Sequence, residues 1–150
     1  MLSTFEAKML VKQKRDKSYT KCEISNGTAF IKHVVSTGLF RWTFKIENIV
    51  EPGKYWTDFV IGIIDSTKDL SHISNRFFCW KDEKRFNASQ GEIIADHHES
   101  GRYGIVCKTN DVIEMELNMN ELYVKYIING KDYGKAFDVK HGSYKAAVYL

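Results

Sequence analysis

Proline is almost absent from this 150-residue chain, which has one proline and ten glycines. Such a composition excludes collagen-like repeats and linker-rich designs. Apolar runs are short as well, and the longest, Phe59–Ile64, has six residues where a membrane helix needs roughly 20. The N-terminus carries charges where a secretory signal would place its apolar stretch. We therefore expect one soluble domain with no membrane partner.

Cysteine is also scarce, and the three that occur (Cys22, Cys79 and Cys107) are widely spaced with no CxxC pair. An odd number of scattered cysteines favours reduced thiols, and we expect a cytoplasmic protein. The net charge is only +3. Because most aromatic residues occupy apolar strand positions instead of alternating with Lys and Arg, we do not expect a nucleic-acid partner.

Hydrophobic residues recur with a period of two from residue 22 onward, which predicts strands. Arg41–Glu47 alternates without a fault, and so does Ile113–Leu117. The pattern resumes at Leu122–Ile128 after a polar turn at 118–121, so these last two runs predict a hairpin. No stretch after residue 22 has a convincing helical period.

Three more segments read as strands, and the dipeptide Asn129-Gly130 reads as a tight turn because Asn and Gly accept positive φ most readily. Phe59–Ile64 is apolar on both faces, which predicts a central strand covered from both sides. Tyr103–Cys107 and Tyr144–Leu150 are the other two. The sequence thus predicts an all-β fold, a two-layer antiparallel β-sandwich. Its expected core includes Trp42, Phe44, Ile46, Ile61, Ile113, Met115, Leu117, Leu122, Val124, Tyr126 and Ile128.

Residues 1–21 read as a basic N-terminal extension, and residues 22–150 as the sandwich domain. Ser3–Glu6 matches a capping box and favours a short helix. The alternation of apolar residues from Phe5 to Val11 fits a strand equally well. The basic run Lys12–Lys17 is typical of a solvated spacer, with an anion-binding arm as the alternative.

Groups suited to catalysis or metal binding are few. Asp96–Glu99 offers four metal ligands in a row, but adjacent residues of an extended chain point to opposite sides. Cys79 lacks a strained elbow and a neighbouring His base. Two of the four carboxylates Glu92, Asp96, Glu114 and Glu116 could meet in space as a glycosidase pair, although the last two fall on the polar face of an alternating strand. We predict no catalysis, no metal and no cofactor.

Four segments in a fixed order carry a family resemblance. They are Gly38–Phe44, Phe59–Ile63, Tyr103-Gly104 with Asp111–Leu117, and Val124–Phe137 with its Asn129-Gly130 and Ala136-Phe137 dipeptides. Together they resemble the SPRY domain, the conserved half of the B30.2 module, over about residues 22–150. The chain departs from the family at Thr43-Phe44, where Glu-Val is usual, and at Asn118, where Asp is usual. The preceding PRY half is not recognisable.

The resemblance implies a non-catalytic recognition module on a sandwich of the concanavalin-like jelly-roll type. Such domains hold peptide segments or partner surfaces in loops at one edge of the sandwich, and they occur in ubiquitin-ligase adaptors and signalling proteins. We therefore expect a protein or peptide ligand, bound by a domain that is monomeric on its own. The alternative is a carbohydrate-binding sandwich that uses exposed Trp56 or Trp80.

The binding surface is predicted in the loops at 51–56, 65–76 and 80–88, where side chains typical of binding hot spots occur. Two large aromatics follow Pro52-Gly53, and because they are adjacent, only one of them can face the core. For Trp80, a cap on the core is the alternative. The predicted partner-binding residues are Tyr55, Trp56, Asp65, Lys68, Arg76, Trp80, Arg85 and Phe86.

Overall fold

The computed structural model describes residues 4–12, 28–30, 33–48, 60–67, 84–88, 91–95 and 98–149. Within these ranges, no helix is long and apolar enough to cross a membrane. The described residues form eleven strands: β1 (Thr4–Lys12), β2 (Thr28–Phe30), β3 (Leu39–Asn48), β4 (Val60–Asp65), β5 (Lys84–Asn87), β6 (Glu92–Ala95), β7 (His98–Arg102), β8 (Val112–Asn118), β9 (Tyr123–Ile128), β10 (Lys131–Asp138) and β11 (Tyr144–Tyr149).

The strands form two sheets. The five-stranded sheet has the order β1-β3-β8-β9-β10, and the six-stranded sheet has the order β2-β11-β4-β5-β6-β7. Among the described strand pairs, only β1 with β3 is parallel. The prediction of an all-β, two-layer antiparallel sandwich is confirmed, with the one described parallel pair at the edge of the five-stranded sheet.

The N-terminal segment is a strand, which decides between the two forms that its sequence allowed. Thr4 pairs with Leu39 and Val11 with Ile46, with a register shift just before Lys12. The division of the chain into an extension and a domain at residue 22 stays a prediction, as does any role of the basic run 13–17, which lies outside the described residues.

The core fills the space between the two sheets. Trp42, Phe44 and Ile46 of β3 have no exposed surface, as expected from their alternation. All the predicted core residues are buried except Leu122, which is partly buried and packs against the core with a φ of 62°. The two layers are also joined by a hydrogen bond, in which the Tyr126 hydroxyl donates to the Ile61 carbonyl at 2.8 Å.

The predicted hairpin is present, with β8 and β9 paired antiparallel. At its turn the Asn118 Oδ1 accepts the backbone N–H groups of Asn120 and Glu121 at 3.0 and 2.9 Å. An amide oxygen makes these bonds as a carboxylate would, so asparagine can replace the aspartate that is usual in SPRY domains.

The turn between β9 and β10 depends on Asn129, which has a φ of 52° and is followed by Gly130 with a φ of 82°. Two side-chain hydrogen bonds hold this conformation. The Asn129 Oδ1 accepts the Val112 N–H at 2.9 Å, and its Nδ2 donates to the Asp111 carboxylate at 3.0 Å. The Asn-Gly dipeptide thus fixes both the turn and the start of β8.

Replacing Asn129 with alanine should lower the free energy of unfolding by about 2 kcal/mol. The change removes two side-chain hydrogen bonds, and alanine has no polar side-chain group to compensate for the unfavourable positive φ. Asn129→Gly loses the same bonds but tolerates the φ, so it should cost about 1 kcal/mol less. Urea unfolding of the two variants measures the difference. Equal losses of unfolding free energy in the two variants would show that the positive φ at residue 129 contributes nothing to the effect of the alanine substitution.

Two secondary-structure predictions from the sequence were wrong: one predicted strand is a loop, and part of one predicted loop is a strand. Tyr103–Cys107 was expected to be a strand, but it is a loop whose N–H groups bond to Gly91 and Ala88 carbonyls instead of a neighbouring strand. Conversely, residues 84–87 were expected within a loop, but they form β5 between β4 and β6. A short apolar run beside glycine fits either state until its partners are known.

Candidate functional site

A cleft opens at one end of the sandwich, where β4 ends, β5 begins and β10 leads into β11. It encloses about 360 Å³ and is lined by Asp65, Lys84, residues 138–141 and Tyr144. That volume lies at the lower end of the range of ligand pockets. Four of its side chains carry a formal charge, so the cleft is suited to a polar ligand, such as a peptide segment.

The turn that forms one wall of the cleft is fixed at both ends by backbone hydrogen bonds. The Val139 N–H donates to the Leu122 carbonyl at 3.0 Å, and the Ser66 N–H donates to the Ser143 carbonyl at 2.9 Å. Within the turn, the Tyr144 hydroxyl donates to the Lys140 carbonyl at 2.7 Å. Binding should therefore require little ordering of this wall.

Of the predicted site residues that the structure describes, Asp65 alone lines the cleft. It ends β4, where its Oδ1 accepts the backbone N–H of Thr67 at 2.9 Å and the Thr67 hydroxyl at 2.7 Å. An aspartate that bonds to the chain two residues ahead makes a tight turn after the strand. Its second carboxylate oxygen takes no part in these two bonds.

Phe86 was predicted as an exposed partner contact, and this is wrong. Its ring has no exposed surface and lies 5.1 Å from the Tyr126 ring, centroid to centroid. Phe86 pairs with Ile61 in the sheet and therefore faces the core.

Arg85, the residue before Phe86 in β5, is half-buried and lies opposite Gly62. Because successive strand residues point to opposite faces, Arg85 points away from the cleft that Lys84 lines. The other predicted contacts, Tyr55, Trp56, Lys68, Arg76 and Trp80, lie outside the described residues, and their role in binding stays a prediction.

The predicted loops are attached at opposite ends of one strand. The segment at 51–56 precedes Val60, and the segment that returns at Lys84 follows Asp65, so β4 separates their attachment points by about 17 Å. On the neighbouring strand β11, Tyr149 pairs with Val60 at one end of β4, and Tyr144 pairs with Asp65 at the other end. The cleft belongs to the Asp65 end.

Sequence reasoning missed the contribution of residues 138–141 and Tyr144. The polar run between Phe137 and Tyr144 was a signal for a loop, but nothing in it showed which other loop it would meet. That information lies in the pairing of β11 with β4, which brings Ser143 to Ser66.

Two of the carboxylates considered for glycoside hydrolysis, Glu114 and Glu116, form ion pairs that give them a structural role. Glu116 is buried on the outer face of the five-stranded sheet, and its carboxylate pairs with Arg41 at 2.6 Å and with Lys125 at 3.4 Å. Glu114 lies 3.8 Å from the same guanidinium. These ion pairs join three neighbouring strands and hold their register.

No group of three or more metal-ligating side chains occurs within the described ranges. Of the candidate ligand run, only His98 and Glu99 lie inside those ranges, at the start of β7.

Cys107 is buried and free, and it is unsuited to nucleophilic chemistry. Burial raises the pKa of its thiol from 9.0 to about 12, and the Asp111 carboxylate acts in the same direction. The unfolded chain releases this proton from about pH 9.0 and the folded chain only near pH 12. The thiol therefore reduces the stability of the fold as pH rises through that window.

A variant with Cys22→Ser and Cys79→Ser leaves Cys107 as the single thiol. We expect the native variant to resist a thiol-specific disulfide reagent at about pH 8, because only the thiolate reacts and it must reach solvent. Unfolding the variant in guanidinium should release one equivalent of the chromophore. Immediate reaction of the native variant would contradict the burial of Cys107.

Neither a family model nor a curated protein matches this sequence. A solved structure does match: the crystal structure of the SPRY domain of human HERC1 superposes with a TM-score of 0.64 at 15% sequence identity, over 82% of this chain and 75% of that chain. The chain has the fold of a SPRY domain. The resemblance noted in the sequence is thus confirmed at the level of the fold.

Several SPRY-like sequence features now have a structural role in this chain. The Trp42 strand supplies the centre of the core, and Gly62 allows β4 to lie close to β5. Gly104 lies against Ile128 and Phe86, where a Cβ atom would come within 3.0 Å of the Ile128 side chain. The motifs of this SPRY fold therefore specify packing, whereas the cleft is formed by residues that the motifs do not include.

Proposed function

We propose that this chain is a non-catalytic protein-recognition module that binds a peptide segment of a partner protein in the cleft at the Asp65 end of the sandwich. SPRY domains generally serve as protein-interaction modules. The observation that carries the proposal is the cleft itself, about 360 Å³ in volume and formed by charged side chains on a fixed turn and two strand ends.

The proposal includes a cytoplasmic setting and a domain that is monomeric on its own. The scattered cysteines support the cytoplasmic setting, since Cys107 is a buried free thiol and thiols stay reduced in the cytoplasm.

Binding of the wild-type domain to a random peptide library and to a glycan array tests the proposal directly. We expect retention of a subset of peptides and no glycan binding. A photo-crosslinking amino acid at position 141, in the cleft, should couple to the retained peptides. The same group at position 45, which is exposed on β3 and does not line the cleft, should not. Binding to glycans alone would favour the carbohydrate-binding alternative and overturn the proposal.

A further inference from the structure

The two carboxylates of the cleft are compensated by neighbours in the chain. Asp65 accepts two hydrogen bonds from Thr67. Asp138 is paired with Lys135, whose Nζ lies 2.9 Å from its Oδ1. The electrostatic potential of these two groups is therefore partly cancelled before any ligand arrives.

The basic side chains of the turn have no such compensation. Lys140 and His141 are exposed, and no acidic side chain in the described part of the chain pairs with either of them. Lys84 lines the same cleft from the opposite strand end but has an interaction of its own. The cleft thus presents two adjacent side chains, Lys140 and His141, that have no acidic partner in the described part of the chain and can donate hydrogen bonds to an anion.

The backbone of this donor pair is held in place. Lys140 is tied through its carbonyl to the Tyr144 hydroxyl, and Tyr144 exchanges two backbone hydrogen bonds with Val35, at 2.7 and 2.9 Å. Because the backbone is already ordered, binding of an anion would cost mainly the ordering of two side chains.

We infer that Lys140 and His141 form a subsite for an anionic side chain of the bound peptide, a carboxylate or a phosphate. This inference rests on the proposed function, since it names the chemistry of the ligand for the same cleft. Lys140 is charged, and a charged donor forms a stronger hydrogen bond with an anion than a neutral donor does, so the subsite would select among peptides that otherwise fit the cleft.

The test uses four sets of heptapeptides on beads, with random flanks and a fixed central Glu, phosphoserine, Gln or Lys. The wild-type domain should retain the Glu set or the phosphoserine set about tenfold better than the Gln set. The arm with the larger enrichment identifies the anion as a carboxylate or a phosphate. The preference should shrink as salt concentration rises.

Two variants locate the effect. In the double variant Lys140→Glu with His141→Glu, the preference should turn toward the Lys set, an outcome that a purely structural role would not produce. Lys45→Glu makes the same kind of change at an exposed position of β3 that does not line the cleft, and it should keep the wild-type preference. Because these side chains are exposed, all the variants should melt close to wild type.

The outcomes separate the inference from the proposed function. If the wild type retains peptides equally in all four sets, or if its preference for anions survives the double variant, the inference fails while peptide recognition stands. If no set is retained, the proposed function itself is overturned.

Discussion

Replacing Trp42 with alanine should lower the free energy of unfolding by about 3–5 kcal/mol, the largest effect that we expect from one side chain. Trp42 has no exposed surface, lies at the centre of β3 and packs with its ring 4.6 Å from that of Phe40. Its loss would leave a cavity between the two sheets, which the surrounding strands can close only in part.

Urea unfolding followed by far-ultraviolet circular dichroism measures this loss. Lys45→Ala is the matched control, because Lys45 is exposed on the same strand and should change stability by less than about 0.5 kcal/mol. A loss below about 1 kcal/mol for Trp42→Ala would contradict the position of Trp42 in the core.

Replacing Gly62 with alanine should cost about 3 kcal/mol, although it adds a single methyl group. A Cβ atom at this position would lie 2.3 Å from the Lys84 carbonyl oxygen and 2.9 Å from the Arg85 Cα. Both are backbone atoms of β5 and cannot rotate away, so β4 and β5 must separate.

Gly142→Ala is the control for this second prediction. There the added Cβ would meet the Tyr144 ring at 3.6 to 3.7 Å, an ordinary contact, and stability should change by less than about 0.5 kcal/mol. Thermal and urea unfolding of the two variants compares a blocked glycine with an open one. Similar stabilities would show that β4 and β5 are not as close as described.

The sequence predicted the strands whose two faces differ most. Arg41–Glu47 alternates because one side of β3 packs on the core while the other carries an ion pair to Glu116, and burial enforces that pattern residue by residue. The Asn129-Gly130 turn was predictable for a similar reason, since its positive φ restricts the residues that fit. These elements are therefore predictable from the local sequence pattern.

Elements that depend on distant partners could not be predicted. Phe86 belongs to a four-residue strand whose identity depends on hydrogen bonds to β4 and β6. Tyr103 begins a loop that resembles a strand in composition. Its hydroxyl accepts the Tyr126 N–H of β9 and donates to the Gly134 carbonyl of β10, so it bridges these two strands where their register shifts. The two contacts of the Tyr103 hydroxyl join residues more than twenty positions apart.

The candidate site shows the same limit more strongly. Asp65 was predicted as the first residue of the loop at 65–76, and the structure places it in the cleft. Lys140 and His141 were not predicted, since a short polar turn has no pattern that separates a binding surface from a solvated one. Their place in the cleft depends on the strand register, which brings Ser143 beside Ser66.

An NMR titration of the isotope-labelled domain with a peptide selected from the library tests the proposed cleft most directly. The largest changes in amide shifts should fall at 65–67, at Lys84 and at 138–144, all at one end of the sandwich. Changes concentrated at Val60 and Tyr149, at the other end of β4 and β11, would show that the peptide binds elsewhere and would contradict the proposed recognition cleft.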